Sequence, residues 1–328
     1  MLQPSKCQRH FGNGDRRIEV AMTKVFIDGS AGTTGLRIRE RLSARKDLEL
    51  IILPEETRKD PAARADALNS AAVSFLCLPD AAAVEAASFV TSPDAVIIDT
   101  STAHRVTEGW VYGMPELTGR REKLKAAKRI ANPGCHATGF ISLVAPLVEA
   151  GLIRKSARLS CFSLTGYSGG GKKMIAEYEA PEVNPLYQAP RQYGLGQAHK
   201  HLPEMAKLCG LDYAPVFSPI VAPYYAGMEV TVPLTPAETS ASIEEIKEVY
   251  KAYYQNGLIR FADAADESGF LSASAFAGRD DLEVSVYGND ERILLVSRFD
   301  NLGKGASGAA IQNMNIALGF NEAEGLVI

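Results

Sequence analysis

Lys24-Val25-Phe26-Ile27-Asp28-Gly29-Ser30-Ala31-Gly32-Thr33-Thr34-Gly35, running straight into the amphipathic stretch at residues 36–44, reads as strand, glycine loop and helix in immediate succession. Glycines so placed let the backbone turn tightly and approach a pyrophosphate, which N–H groups at the helix start then hold. Gly29, Ser30, Gly32, Thr33, Thr34 and Gly35 are therefore candidate cofactor-binding residues. The spacing is GxxGxxG rather than GxGxxG, and without a GK[ST] ending the loop is not a P-loop. Apolar runs follow at residues 48–53, 73–78 and 95–99, separated by helical patterns at 61–69 and 81–90. Buried parallel strands have this composition. The reading is an α/β protein whose residues 23–135 form a Rossmann-type dinucleotide-binding domain.

The loop after the second strand, residues 54–59 (PEETRK), mixes acids and bases. Arg58 and Lys59 suit a 2'-phosphate, which favours NADP over NAD, the alternative being a solvated charged loop. Pro79 and Ser101 fall just beyond later strands, where ligands of open parallel sheets lie, and Arg105 comes shortly after.

Asn132-Pro133-Gly134-Cys135 precedes an apolar helical pattern through Phe140, Ile141, Leu143, Val144, Leu147 and Val148. A thiol at a helix start meets unpaired N–H groups and the positive end of the helix dipole, so its pKa is expected to fall from about 8.5 towards 3.5 to 7.5. A packed small hydrophobe is the alternative reading.

Beyond this point the pattern changes. Strand-like runs at 157–164, 216–220, 228–233, 282–287 and 292–298 and a helix at 242–254 indicate a mixed α+β catalytic and oligomerisation domain over residues 136–300. Two patches stand out in it, residues 166–173 (GYSGGGKK) and 199–204 (HKHLPE). Pro203 suits the first position of a helix ending at Gly210. His199 and His201 would then lie on an extended lead-in, where residues two apart face one side. Two imidazoles beside Lys200 suit anion binding and proton transfer. Surface histidines, or a metal pair lacking a third ligand, are the alternatives. The stretch 300–308 (DNLGKGASG) opens an apolar helix at 309–318 that needs a surface to pack on, and residues 301–328 are placed back against the dinucleotide domain.

The chain has 328 residues, 46% hydrophobic and 23% charged, with net charge −4, which gives room for two ordinary globular domains. Lys and Arg are scattered rather than striped, so the footprint of a nucleic-acid binder is missing. Five cysteines (Cys7, Cys77, Cys135, Cys161, Cys209) without a CxxC argue against a disulfide framework or zinc site and for the cytoplasm. No run approaches the ~20 apolar residues of a membrane span. Residues 1–22 read as a basic disordered tail or the product of a start assigned too far upstream, with an organelle-targeting peptide as a further alternative.

Taken in order, the glycine loop, NPGC, GYSGGGKK, HKHLPE and DNLGKGASGAAIQNMN resemble the short form of the N-acetyl-gamma-glutamyl-phosphate reductases, from Lys24 to the C-terminus. Aspartate-semialdehyde dehydrogenases share that architecture and reaction type. The resemblance implies an arginine-biosynthesis enzyme, a homodimer or homotetramer, that uses NADP(H) to reduce a small-molecule acyl phosphate to the semialdehyde with release of phosphate. It implies that Cys135 is the nucleophile, that His201 in preference to His199 is the acid and base, and that Arg105 binds the substrate phosphate, with Lys200 and Ser168 as further substrate-binding candidates. It also implies that Ser168 and Gly169 line the site near the nicotinamide and that Asn301 contacts the cofactor. His136 stands where larger forms have tyrosine, and Thr100 and Thr102 depart from the DLSADFR pattern. Competing readings are an aspartyl-phosphate reductase, an NADP-binding regulator without chemistry, and a cysteine hydrolase, which leaves the glycine loop unexplained.

Overall fold

In the computed structural model, which describes residues 22–328, the chain builds two sheets. The tail read at residues 1–22 lies outside the described residues except for Met22.

The first sheet comprises β1 (Thr23–Asp28), β2 (Leu48–Ile51), β3 (Val73–Leu76), β4 (Val96–Asp99), β5 (Val111–Tyr112) and β6 (Arg129–Ala131). All pairings are parallel, in the order β2-β1-β3-β4-β6-β5. After β2 the chain crosses to the other side of β1, so a crevice opens where the carboxyl ends of β1 and β3 diverge. The glycine loop occupies it. Gly29 has φ +86°, and a Cβ there would collide with the Cys77 carbonyl beyond β3, so only glycine lets the loop lie this low.

Helix α1 (Thr33–Leu42) begins three residues before the expected start at residue 36. Thr33, Thr34 and Gly35 are its first turn, and Gly35 lets that turn rest on Gly29, whose carbonyl a Cβ would approach to 2.5 Å. Helices α2 (Pro61–Ser70) and α3 (Asp80–Ser88) cover one face of the sheet through Leu68, Ala83 and Ala86, packed with Phe26 and Ile97. The other face is covered by α1, by α4 (Arg120–Ala126), and by the last helix of the chain.

The second sheet is mixed. It contains β7 (Ser160–Gly166), β8 (Arg191–Gln192), β9 (Val216–Ala222), β10 (Met228–Leu234), β11 (Ile259–Phe261), β12 (Leu282–Asn289) and β13 (Arg292–Phe299). Their order is β11-β12-β13-β10-β7-β9-β8. On one face lie α5 (Cys135–Glu149), α7 (Leu202–Cys209) and α8 (Ile243–Tyr253), which bury Phe140, Val144, Met205 and Tyr250 against Val230, Val284 and Leu295. Between β7 and α7 the chain makes an excursion through a 3-10 turn, Tyr167–Gly170, and α6 (Gly171–Tyr178). The opposite sheet face leaves Phe162 and Leu294 exposed.

Gly139 explains how α5 sits so close to the sheet, because a Cβ there would strike Val230, Phe299 and Ser297. After β13 a π-helical turn, Gly303–Ser307, leads into α9 (Gly308–Leu318), whose Ala310, Ile311 and Met314 pack with Val25, Ile38 and Ile98 of the first sheet's core. Among the described residues no helix is long and apolar enough to cross a membrane.

Candidate active site

Strand β6 ends in Asn132-Pro133-Gly134, and Cys135 is the first residue of α5. Asn132 is pinned on both sides. Its N–H donates to the Asp99 carbonyl (2.7 Å) and its Nδ2 to the Ala306 carbonyl (3.0 Å), which ties the loop before Cys135 to β4 and to the C-terminal segment. Gly305 of that segment lies directly under the thiol, where a Cβ would be 3.0 Å from Cys135 Cβ. Gly134 has no room for a side chain either, since a Cβ would meet Arg105, come within 2.5 Å of His201 Nε2 and lie 2.7 Å from Glu204 Oε1.

These three side chains converge on Gly134, the residue before the thiol, and Arg105 and His201 line one cavity with Cys135. Arg105 is buried and donates to the Asn132 carbonyl (3.0 Å), to Glu204 Oε1 (2.7 Å) and to the Thr100 carbonyl (3.3 Å). Glu204 also accepts from the Tyr112 hydroxyl (2.8 Å) and from the Gly134 N–H (3.2 Å). A buried carboxylate with this many donors holds the arginine, the loop before Cys135 and α7 in one register. Sequence reading passed over Glu204 as a site residue, although it closes the HKHLPE segment.

His199 and His201 do converge, with ring centroids 4.7 Å apart, but by a different route from the one expected. Residues 199–202 form a turn rather than an extended strand. The Leu202 N–H donates to the His199 carbonyl (3.0 Å), and the His201 N–H to His199 Nδ1 (3.2 Å). Helix α7 starts at Leu202, one residue ahead of Pro203. His199 Nδ1 is thereby engaged, whereas buried His201 Nδ1 has no partner among the described residues.

Cys135, Arg105, His199, His201, Tyr193 and Asn301 line a cavity of about 430 Å³. Lys200, Ser168 and Gly169 border the same cavity. Asn301 Nδ2 donates to Ser168 Oγ (3.0 Å) while its Oδ1 accepts from the Gly227 N–H (3.0 Å), so these two residues brace each other. The cavity continues past Gly32, Thr33, Thr34, Gly35, Pro79 and Ser101. Farther on, a cleft of about 270 Å³ holds Gly29, Ser30, Arg58 and Lys59, together with Arg39 of α1, which sequence reading missed. Arg58 at its rim pairs with Glu55 (2.5 Å). Ser101 is turned inward, its hydroxyl donating to Asp99 Oδ2 (2.8 Å) and its N–H to Oδ1 (2.9 Å), so only its outer surface is left to a ligand.

One expectation is overturned. Burial pushes the Cys135 thiol above its ordinary pKa; the Arg105 guanidinium, the His136 N–H and Lys200 pull it down, and Glu204 opposes them. Burial likewise pushes His201 well below the usual imidazole range, assisted by Arg105, and lowers His199, assisted by Lys200. The helix start is present, but burial is the largest influence on the half-buried thiol, and both Cys135 and His201 are driven towards their neutral forms.

His136, noted in the sequence only as standing where larger forms have tyrosine, belongs to the site as well. It is buried next to the thiol, with Nδ1 2.7 Å from Ser163 Oγ and Nε2 2.6 Å from the Tyr193 hydroxyl.

A parallel sheet with its glycine loop at the switch point, and a helix-start thiol at the far end of one continuous crevice, define the semialdehyde-dehydrogenase class. Residues 54–127 match the family described as semialdehyde dehydrogenase, NAD binding domain, and residues 135–301 match semialdehyde dehydrogenase, dimerisation domain. Solved structures of 15–17% identity share the fold. Aspartate semialdehyde dehydrogenase II of Vibrio cholerae, complexed with ASA, aligns with TM-score 0.69 over 90% of this chain and 98% of that one. The Candida albicans aspartate semialdehyde dehydrogenase with NADP aligns at 0.63, over 90% and 99%. Sequence relatives are much nearer. N-acetyl-gamma-glutamyl-phosphate reductase 2 of Nostoc sp. is 44% identical over 92% of this chain and 99% of its own, and that of Pseudomonas putida 42% over 92% and 98%. The Brucella suis N-acetyl-gamma-glutamyl-phosphate reductase is 45% identical over 90% and 99%. The chain belongs to the N-acetyl-gamma-glutamyl-phosphate reductase family.

Proposed function

We propose that this chain catalyses the NADPH-dependent reduction of N-acetyl-gamma-glutamyl phosphate to N-acetylglutamate semialdehyde and phosphate, a step of arginine biosynthesis, through a thioacyl intermediate on Cys135. The observation that carries the reading is the placement of Cys135 in a crevice that runs to the glycine loop, in one cavity with Arg105 and His201.

The crevice fits the dinucleotide. Gly29 lets the loop lie low against the Cys77 carbonyl, and the first turn of α1 presents its unpaired N–H groups to the crevice. Gly32, Thr33, Thr34 and Gly35 would hold the pyrophosphate, with Arg58, Lys59 and Arg39 at the adenosine end favouring a 2'-phosphate. Pro79, Ser101, Gly169 and Asn301 would border the rest.

His201, whose Nδ1 has its bonding capacity unspent, accepts the thiol proton as sulfur attacks the acyl carbon. The carbon–oxygen bond to phosphate breaks, and the departing anion is drawn by Arg105 and Lys200. When bound, NADPH supplies hydride to the thioacyl carbon. The resulting tetrahedral adduct collapses to aldehyde with cleavage of the carbon–sulfur bond, and His201 returns its proton to sulfur. Splitting the reduction in this way replaces one difficult step by two easier ones.

The domain limits we adopt are residues 23–135 for dinucleotide binding, 136–300 for catalysis and assembly, and 301–328 for the returning helix. The chain works in the cytoplasm as a homodimer or homotetramer, an assembly supported by the match of residues 135–301 to a semialdehyde dehydrogenase dimerisation domain.

The test follows NADPH oxidation with N-acetyl-gamma-glutamyl phosphate and aspartyl phosphate side by side. Turnover of the first, abolished by Cys135→Ser while NADPH binding persists, is the expected result. Preference for aspartyl phosphate would reassign the substrate, and turnover by the serine variant would end the thioacyl mechanism.

A further inference from the structure

Ser163, His136 and Tyr193 form a hydrogen-bonded chain from the second sheet to the active-site cavity. Ser163 is fully buried on β7; Tyr193 follows β8, anchored by its N–H to the Pro219 carbonyl (3.0 Å). Between them the imidazole of His136 is enclosed by Phe217, His199 and His201, with ring centroids 5.3, 5.6 and 5.5 Å away. Burial pushes the His136 pKa down to about 3, so the ring is neutral and carries one N–H and one lone pair.

Counting protons fixes which nitrogen has which. The Ser163 hydroxyl has a single hydrogen-bond partner among the described residues, His136 Nδ1. Its proton therefore goes to Nδ1, because the opposite tautomer would strand a buried donor without an acceptor. Nε2 then carries the imidazole proton and donates to the Tyr193 oxygen (2.6 Å). That leaves the phenolic proton of Tyr193 unspent. No side chain of the described residues accepts it, and Tyr193 lines the same cavity as Cys135.

We propose that Tyr193 is a substrate-binding residue whose hydroxyl donates to a carbonyl oxygen of the acyl group held at Cys135, and that Ser163 and His136 are positioning residues that turn its proton into the cavity. The proposal rests on the acyl-phosphate reading given above. A carbonyl is the favoured acceptor because Arg105 and Lys200 already provide cationic partners for an anion, whereas a phenol is a neutral donor. Receiving a hydrogen bond from an imidazole N–H polarises the phenol and strengthens the bond it gives.

Tyr193→Phe removes the donor and little else. It is expected to lower kcat/KM for N-acetyl-gamma-glutamyl phosphate by roughly 10- to 100-fold, with the Kd for NADPH unchanged. His136→Leu should cause a similar loss and add nothing in the Tyr193→Phe background. His136→Gln, which keeps an N–H able to reach Tyr193, should recover most of the activity. Nitrogen NMR of the labelled imidazole reads the relay directly, with a neutral ring protonated at Nε2 expected from pH 6 to 8.

An Nδ1–H tautomer or an imidazolium in that range would overturn the relay, and unchanged kcat/KM in Tyr193→Phe would overturn the substrate contact. A wild-type protein that binds NADPH yet reduces no acyl phosphate would bring down the functional reading and Tyr193's role with it. The imidazole spectrum would still decide the relay.

Discussion

Gly134 and Cys135 are neighbours with opposite requirements, one defined by the side chain it lacks and the other by the side chain it presents. Adding a single methyl group at Gly134 would press on Arg105, His201 and Glu204 together. Misplacing reacting groups by an ångström costs about 100-fold. Gly134→Ala should accordingly lose activity on that scale while retaining NADPH binding, as steady-state kinetics and fluorescence titration would register. Because burial lifts the Cys135 thiol, its alkylation by iodoacetamide in the ligand-free protein should keep accelerating beyond about pH 8.5; a plateau below pH 7 would contradict that upward shift. Cys135, Arg105 and the paired histidines were legible in the sequence because reactive residue types stood inside short motifs. Glu204 and Tyr193 were not, since each owes its role to a partner far along the chain, Glu204 to Arg105 and Tyr193 to a histidine 57 residues away, and His136 was legible only as a departure from the family pattern.

Helix α5 brings this residue chemistry to the scale of an element. Its first turn faces the crevice while its remaining length is pressed on β10 and β13, and Gly139 sets the depth of that contact. Gly139→Ala forces a Cβ into Val230 and Phe299 and should cost about 1–3 kcal/mol, read as a lowered urea midpoint. The longer strands of both sheets announced themselves as apolar runs set between helical patterns and turns. The strands β5, β6, β8 and β11 did not, because two or three residues are too few to display a period of two. The start of α1 was read late because Thr33, Thr34 and Gly35 have turn-like composition and are held helical by contact with Gly29. In the same way, the lead-in to α7 has the composition of an extended segment, but backbone bonds to His199 close it into a turn.

Across the whole molecule, the neutral buried histidines couple stability to acidity. His136 and His201 titrate below the ordinary imidazole value when folded, so below about pH 6.5 the unfolded chain binds more protons and stability falls as pH decreases. Each contributes a slope of about 1.4 kcal/mol per pH unit until its own folded pKa is reached. Comparing Tm between pH 7 and 4.5 in the wild type and in His136→Gln should show the shallower decline in the variant; parallel curves would exclude the linkage.

The path of the C-terminal segment has a further consequence, for the order in which the protein becomes competent. Gly305 lies beneath the thiol, Asn301 supports Ser168, and α9 completes the first sheet's core. A ribosome that has already delivered the glycine loop, the cysteine and both histidines has still not assembled a working crevice. The sulfur of Cys135 therefore gains its setting only once α9 has folded back onto the first sheet, so maturation of the crevice waits on the segment that is made after all of its other parts.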